Sequence, residues 1–190
     1  MNTLLKRSLA LLIAVSGLAL PGFAETPAVQ GKAPDFTLST PEGQPLRLSN
    51  LLKQGDVALV FLRGFPGYQC PICQRQVHDL ELDSAKFAAS RIQLLLVYPG
   101  QVAQLDQRAK EFMTKEDALP ANFHLVIDPD FTVTNLYGLR WNADRETAYP
   151  STFLLDKTGK VMWLKISHTH GDRATTGDIL GALGTPGAKQ

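Results

Sequence analysis

The chain of 190 residues has two cysteines, and they stand three apart in Cys70-Pro71-Ile72-Cys73. On a helix, that spacing puts both sulfurs on one side, a turn apart. Pro71 suits a first helical turn, where its missing N–H costs nothing, so Cys70 falls at the helix tip. Backbone N–H groups there lack partners and the dipole favours negative charge, which lowers a thiol pKa from about 8.5 towards neutrality or below. Such a thiolate attacks disulfides or peroxides, and a second thiol three residues on resolves the adduct. Two other uses of the pair are weaker. A structural zinc site wants four N or S ligands, which this pair would have to complete with distant histidines. As a staple, a disulfide closing so short a loop contributes only about 2 kcal/mol.

Other side chains invite a chemical reading. Arg63 ends an apolar run just before the cysteines, so its charge either snorkels to solvent or stands beside the thiols and steadies a thiolate. His168-Thr169-His170 sets two imidazoles on one side of an extended segment, half of a metal site. No third ligand is near in sequence, which favours a solvated loop, and no metal is expected. Trp141 and Trp163 read as packing residues. Asp128, followed by Pro129, reads as a turn residue.

The elements that must position the cysteines come next. Val57 to Leu62 are six apolar residues in a row, a strand buried on both faces as in parallel sheets. Gly64, Pro66 and Gly67 end it. Cys73, Val77, Leu80, Ser84 and Phe87 then repeat at helical spacing and describe one apolar stripe fading near Ala89. This strand-turn-helix unit leaves Cys70 exposed at the mouth and Cys73 shielded one turn in. Ile92 to Tyr98 reads as a second buried strand stopped by Pro99-Gly100, and two such strands joined by a helix make a right-handed crossover.

Around this unit, Asp35 to Leu38 reads as a short strand, Pro41 to Gln44 as a hairpin turn, and Leu46 and Leu48 as the returning strand. Ser49 or Asn50 is placed to cap a short helix through Leu52. Val102, Leu105, Ala109 and Phe112 mark an amphipathic helix ending about Thr114. Phe123 to Ile127 is a strand, followed by a turn and a helix through Leu136 closed by Gly138. Tyr149 to Leu155 and Val161 to Ile166 form a hairpin, and Thr176 is placed to cap a last helix reaching Leu183.

Cys70-Pro71-Ile72-Cys73 after a buried strand resembles the active site of thioredoxin-fold proteins. Gly31-Lys32-Ala33-Pro34-Asp35-Phe36-Thr37-Leu38 is similar to the opening of the alkyl hydroperoxide reductase/thiol-specific antioxidant branch, the peroxiredoxins and their relatives. Tyr149 to Asp156 resembles the family's later strand, with Pro150 at the place of the thioredoxin-type cis-proline. The resemblance implies an α/β thioredoxin-like fold, a central mixed β-sheet flanked by helices. It also implies a substrate-binding role for Tyr149 and Pro150, whose cis peptide would offer backbone groups to an extended segment.

The chain departs from the peroxiredoxin pattern in two places. In the family's Pro-x-x-x-Thr/Ser-x-x-Cys motif, Pro66 and Cys73 match while Cys70 takes the hydroxyl position. The arginine that precedes the later strand is replaced by Pro150. Both missing groups polarise peroxide in that family. The acid that thioredoxins bury on the strand before their cysteines has no counterpart here, which leaves proton transfer to Cys73 unassigned.

Residues 1–24 read as a secretory signal, with Lys6 and Arg7 as the positive region, an apolar core of about 13 residues, and Gly22-Phe23-Ala24 as the cleavage site. Pro21-Gly22 ends the run before the roughly 20 residues a membrane span needs. Export, with a periplasmic location and no anchor after cleavage, is the expectation. Residues 25–34 form a lead and 35–186 one domain. The whole chain carries 19 Lys and Arg against 18 Asp and Glu, and loss of the leader removes two basic residues. Such near-neutrality speaks against a nucleic-acid footprint.

The leading functional expectation is an exported thiol-disulfide oxidoreductase without cofactor. It would cycle Cys70 and Cys73 against protein disulfides or dithiols and draw on an electron-donor thiol protein. One alternative is a thiol peroxidase with Cys73 attacked by hydroperoxide and Cys70 resolving. A second is a non-enzymatic binding or assembly factor on the same scaffold.

Overall fold

The computed structural model describes residues 25–113 and 119–184. The expected leader at 1–24, Thr114, and residues 185 and 186 lie outside them. Seven strands form one sheet in the order β2-β1-β5-β4-β3-β6-β7. The strands are β1 Thr37–Ser39, β2 Pro45–Arg47, β3 Asp56–Phe61, β4 Ile92–Gly100, β5 Phe123–Pro129, β6 Ser151–Leu155 and β7 Val161–Ile166. The helices are α1 Leu48–Leu51, α2 Pro71–Leu82, α3 Ser84–Ala89, α4 Leu105–Met113, α5 Thr132–Leu136 and α6 Thr176–Gly181, the last followed by a 3-10 turn at Ala182–Gly184.

β3, β4 and β5 run parallel, and β6 and β7 continue the sheet antiparallel. The sheet is therefore mixed, as expected. Side chains alternate across β3 because successive residues of a strand point to opposite faces. Ala58, Val60 and Leu62 join one core with Cys73, Val77, Leu80 and Phe87. Val57, Leu59 and Phe61 join the other with Tyr137, Phe153 and Val133. Both faces of β3 are thus dry beyond Asp56, which is why Val57 to Leu62 is apolar throughout rather than alternating.

Several local expectations are corrected. Leu48 opens α1 instead of extending β2, and neither Ser49 nor Asn50 caps that helix. Arg47 is at its N-cap without a side-chain capping bond, and Asp35 Oδ1 accepts from the Ser49 N–H at 2.9 Å. The helix after the cysteines breaks at Asp83, where φ −101° and ψ 12° depart from helical values, so α2 and α3 are separate. β4 does not stop at Tyr98. Pro99 and Gly100 stay in register with Asp128 and Pro129 of β5, and the Pro99 carbonyl accepts the Phe65 N–H at 3.0 Å. Thr175, not Thr176, caps α6, in a reciprocal box with Asp178.

Candidate active site

β3 delivers the chain to the cysteines through a fixed turn. Gly64 has φ +70°, and a Cβ on it would run into the backbone of Pro99, so a residue without a side chain is required there. Residues 65–69 then lead into α2. Phe65 lies under the Arg108 guanidinium, 5.1 Å from its ring centroid. Gln69 is held at both ends, donating to the Arg108 carbonyl at 2.9 Å and accepting the Tyr98 hydroxyl at 2.8 Å. The residue before Cys70 is thereby tied to β4 and α4.

Cys70 is the N-cap of α2, extended at φ −82° and ψ 109°, with Pro71 at the first helical position. Its sulfur accepts the Cys73 N–H at 3.4 Å, the role a Ser or Asp side chain plays at ordinary caps. Exposure of Cys70 was expected. It is instead only 2% exposed, while Cys73 is fully buried. Both cysteines are free thiols.

Their environments push the two sulfurs apart. The Cys73 thiol donates to Cys70, and with the N–H groups of Cys73 and Ile72 and the Arg173 charge it outweighs burial, lowering the Cys70 pKa to about 5. Cys73 is pushed well above the usual thiol range, first by burial and then by its bond to Cys70. Groups driven in opposite directions divide the roles of nucleophile and proton holder.

The cation beside the thiols is Arg173, 100 residues along the chain from Cys73. Its Nη1 and Nη2 each stand 3.7 Å from Cys73 Sγ. Nε donates to the His170 carbonyl at 2.8 Å and Nη1 to Gln76 Oε1 at 3.2 Å. Arg63 was expected either to reach solvent or to steady a thiolate with its charge, and its guanidinium does neither. It is buried and donates to Glu146 Oε2 at 2.7 Å, to the Tyr68 hydroxyl at 2.6 Å and to the Arg145 carbonyl at 2.7 Å. A buried guanidinium takes a carboxylate where one is within reach. What Arg63 gives Cys73 is its backbone N–H, and its carbonyl accepts the Thr147 hydroxyl.

His168 and His170 belong to an aromatic cluster. Trp141 stacks on Tyr149 with centroids 4.9 Å apart, His170 packs 5.2 Å from Trp141, and His168 meets Tyr149 edge-on at 5.2 Å. His170 Nε2 bonds Glu146 Oε1 at 2.9 Å. The expected cis peptide before Pro150 is not found: every peptide bond among the described residues is trans. The Tyr149 N–H is already used by the Leu139 carbonyl at 2.9 Å, and its carbonyl accepts the Ser151 hydroxyl at 2.8 Å. A substrate strand would have to displace or share these bonds.

Arg173, Glu146 and Gln69 are contributions that periodicity and motif reading did not reveal. All three sit in loops or turns; Gln69 directly precedes the α2 cap, while tertiary folding brings Arg173 to α2 and Glu146 to Arg63 and His170.

Residues 29–164 match the AhpC/TSA family. The thiol-disulfide oxidoreductase ResA of Geobacillus thermodenitrificans (strain NG80-2) is 32% identical over 135 residues, which span 70% of this chain and 67% of that protein. Among solved structures, a putative thiol:disulfide interchange protein DsbE from Chlorobium tepidum shares 26% identity at a TM-score of 0.61, covering 83% of this chain and 99% of its own. The peroxidoxin BcpB of Mycobacterium tuberculosis aligns over 83% of this chain and 95% of its own at a TM-score of 0.63. At 21% identity it shows the fold alone. These likenesses bear out the thioredoxin-like architecture.

Proposed function

The chain belongs to the AhpC/TSA family and is an oxidoreductase, and from that premise we propose that it is an exported thiol-disulfide oxidoreductase working through Cys70 and Cys73. The observation that carries the reading is the division between the sulfurs: Cys70 caps α2 with its sulfur on the Cys73 N–H at 3.4 Å, which lowers its pKa, while Cys73 is fully buried behind it and its pKa is pushed up. Cys70 attacks the partner disulfide, and Cys73 resolves the mixed disulfide. Similarity to ResA, named as a thiol-disulfide oxidoreductase, supports this reaction class.

Export to a periplasmic location rests on the leader pattern of residues 1–24. The partners are protein disulfides or dithiols, and a donor thiol protein closes the cycle. Tyr149 and Pro150, beside the Trp141 ring, are the segment proposed to meet the substrate. With both Tyr149 backbone groups engaged, the ring of Tyr149 is the part left to do so.

Incubated with a protein disulfide, Cys73→Ser is expected to accumulate mixed disulfides at Cys70 and Cys70→Ser to accumulate almost none. The reverse pattern, read by non-reducing electrophoresis and mass spectrometry, would remove the assignment. Arg173 over Cys73 favours a second reading, a thiol peroxidase, because a guanidinium steadies a thiolate that attacks hydroperoxide. Burial of Cys73 and its raised pKa weigh against it. Rapid stoichiometric oxidation of Cys70→Ser at Cys73 by hydrogen peroxide would establish the peroxidase instead.

A further inference from the structure

We propose that Arg173 acts directly on the sulfur of Cys73 during resolution of the mixed disulfide, and that Glu146, by gripping His170, is the positioning residue that holds Arg173 there. The inference rests on the reading of Cys70 as the attacking thiol. The only acid on β3 is Asp56, at the end remote from the cysteines, so another group must help the buried Cys73 thiol become a nucleophile.

The Cys70 thiolate breaks the partner S–S bond and forms a mixed disulfide, releasing the first partner sulfur as a thiolate. That thiolate takes the proton of the Cys73 thiol. The Cys73 anion attacks Cys70 Sγ, forming the Cys70–Cys73 bond and expelling the second partner sulfur as a thiolate. The partner disulfide gains two electrons and the enzyme dithiol loses two. Between proton loss and attack, Cys73 carries a negative charge in a site closed to water, where desolvation is most costly.

Arg173 is built to meet that charge. Its two terminal nitrogens are equidistant from Cys73 Sγ at 3.7 Å, so the planar fork straddles the sulfur, which a Lys ammonium cannot do. The Arg63 guanidinium, which is buried where Arg173 is only half-buried, is turned to Glu146. The loop carrying Arg173 is neither helical nor part of a strand; the Arg173 N–H on the Gly171 carbonyl at 3.0 Å and core packing of Ala174 hold its backbone, and side-chain bonds aim the guanidinium. His170 supplies two at once: Glu146 Oε1 accepts from its ring Nε2 at 2.9 Å, and its carbonyl accepts from Arg173 Nε at 2.8 Å. Glu146 is itself fixed by Arg63 at 2.7 Å, and Gln76 of α2 receives Arg173 Nη1. A run of contacts from the end of β3 through Glu146 and His170 thus ends on the resolving sulfur. Beyond Arg173 lies a cleft of about 400 Å³ lined by Ile72, Arg75 and Gln76 among others, so a shorter side chain there leaves open space rather than a core void.

Mixing the reduced protein with 5,5′-dithiobis(2-nitrobenzoate) in a stopped-flow instrument separates the two sulfurs. The first equivalent of thionitrobenzoate reports attack by Cys70, and the second reports resolution by Cys73. Arg173→Gln is expected to slow the second phase about tenfold or more and to move its pH midpoint upward, while the first phase changes less than about threefold. Arg173→Lys should fall between, because it keeps the charge without the fork. Glu146→Gln should slow the second phase too, but add nothing in an Arg173→Gln background, since both losses act through one group. A second phase within about twofold of wild type, with an unmoved midpoint, in either Arg173 variant would overturn the role of Arg173. Additive losses would overturn that of Glu146. In the Cys73→Ser control, absence of the first equivalent would instead remove Cys70 as the attacking thiol, and this proposal with it.

Discussion

Cys73 donates its backbone N–H to the sulfur of Cys70 at 3.4 Å, so Cys73 helps ionise Cys70 before either meets a substrate. Its thiol adds the largest single contribution in the same direction. Removing that donor therefore affects Cys70 while leaving the N-cap geometry and the backbone donor in place. Thiolate absorbance near 240 nm should titrate with a midpoint near 5 in the reduced wild type. In Cys73→Ala it should rise by about one unit or more, with Cys73→Ser between the two because a hydroxyl still donates. Equal midpoints in all three proteins would show that the helix tip, not Cys73, sets the acidity.

The same asymmetry fixes how the redox potential depends on pH. The disulfide takes up no proton, while the reduced pair between pH 6 and 8 holds Cys70 as thiolate and Cys73 as thiol. Reduction there consumes two electrons and one proton, so the potential should fall by about 30 mV per pH unit rather than the roughly 59 mV of a pair that takes up two protons. Below the Cys70 midpoint the slope should steepen to the larger value. Equilibration with glutathione across pH 4 to 8 measures this. A constant slope of about 59 mV per unit from pH 6 to 8 would mean that Cys70 is not ionised.

The parts of this site that were legible in the sequence are those encoded by neighbours in the chain. The apolar run from Val57 to Leu62 declares a strand covered on both faces, and the stripe from Cys73 to Leu80 declares a helix with a buried side. Cys70 at the tip follows from Pro71. Its burial does not, because Cys70 joins a core with Val60, Tyr98 and Leu105 that only tertiary folding assembles. Arg173 was invisible for the same reason: no periodicity marks a loop residue that folds back across 100 positions. Arg63 stood out in the sequence as a charge at the end of the buried apolar run that leads to the cysteines. It lost the role because Glu146, a stronger partner for a buried guanidinium than a thiol, lies within reach.

That ion pair should be costly to break. The side chains of Arg63 and Glu146 are only 4% and 11% exposed. The carboxyl is held below its usual range because hydrogen bonds from Arg63 and His170 overcome the upward push of burial. Glu146→Ala strands the guanidinium away from water, a loss of about 3–5 kcal/mol for a buried pair, or roughly 6–20 °C in Tm for a chain of this size. Replacing both partners, Arg63→Met with Glu146→Leu, should recover much of that loss, since no unpaired charge remains. Calorimetry of the three proteins decides it. If the double variant is as unstable as Glu146→Ala, the pair stabilises through its other hydrogen bonds and not through charge compensation.

Two glycines in the turn before Cys70 should respond differently to one methyl group. Both have positive φ, +70° at Gly64 and +107° at Gly67, so Ala at either incurs a conformational cost of about 1–2 kcal/mol. Space divides them. A Cβ at Gly67 meets nothing within 4 Å, whereas one at Gly64 meets the carbonyl of Pro99, a backbone group locked in the β4–β5 ladder that cannot swing aside. Relief at Gly64 must come from moving the segment that runs into α2, which breaks the Phe65 N–H bond to the Pro99 carbonyl. Gly67→Ala is therefore expected to lower stability by little more than its conformational cost and to leave the acidity of Cys70 unchanged. Gly64→Ala should cost at least about 2 kcal/mol more and raise the Cys70 midpoint, because the cap at Cys70 no longer sits squarely on the Cys73 N–H. Denaturant unfolding and thiolate titration of both variants provide the comparison. An unshifted Cys70 midpoint in Gly64→Ala would show that α2 holds its first cysteine independently of the strand that precedes it.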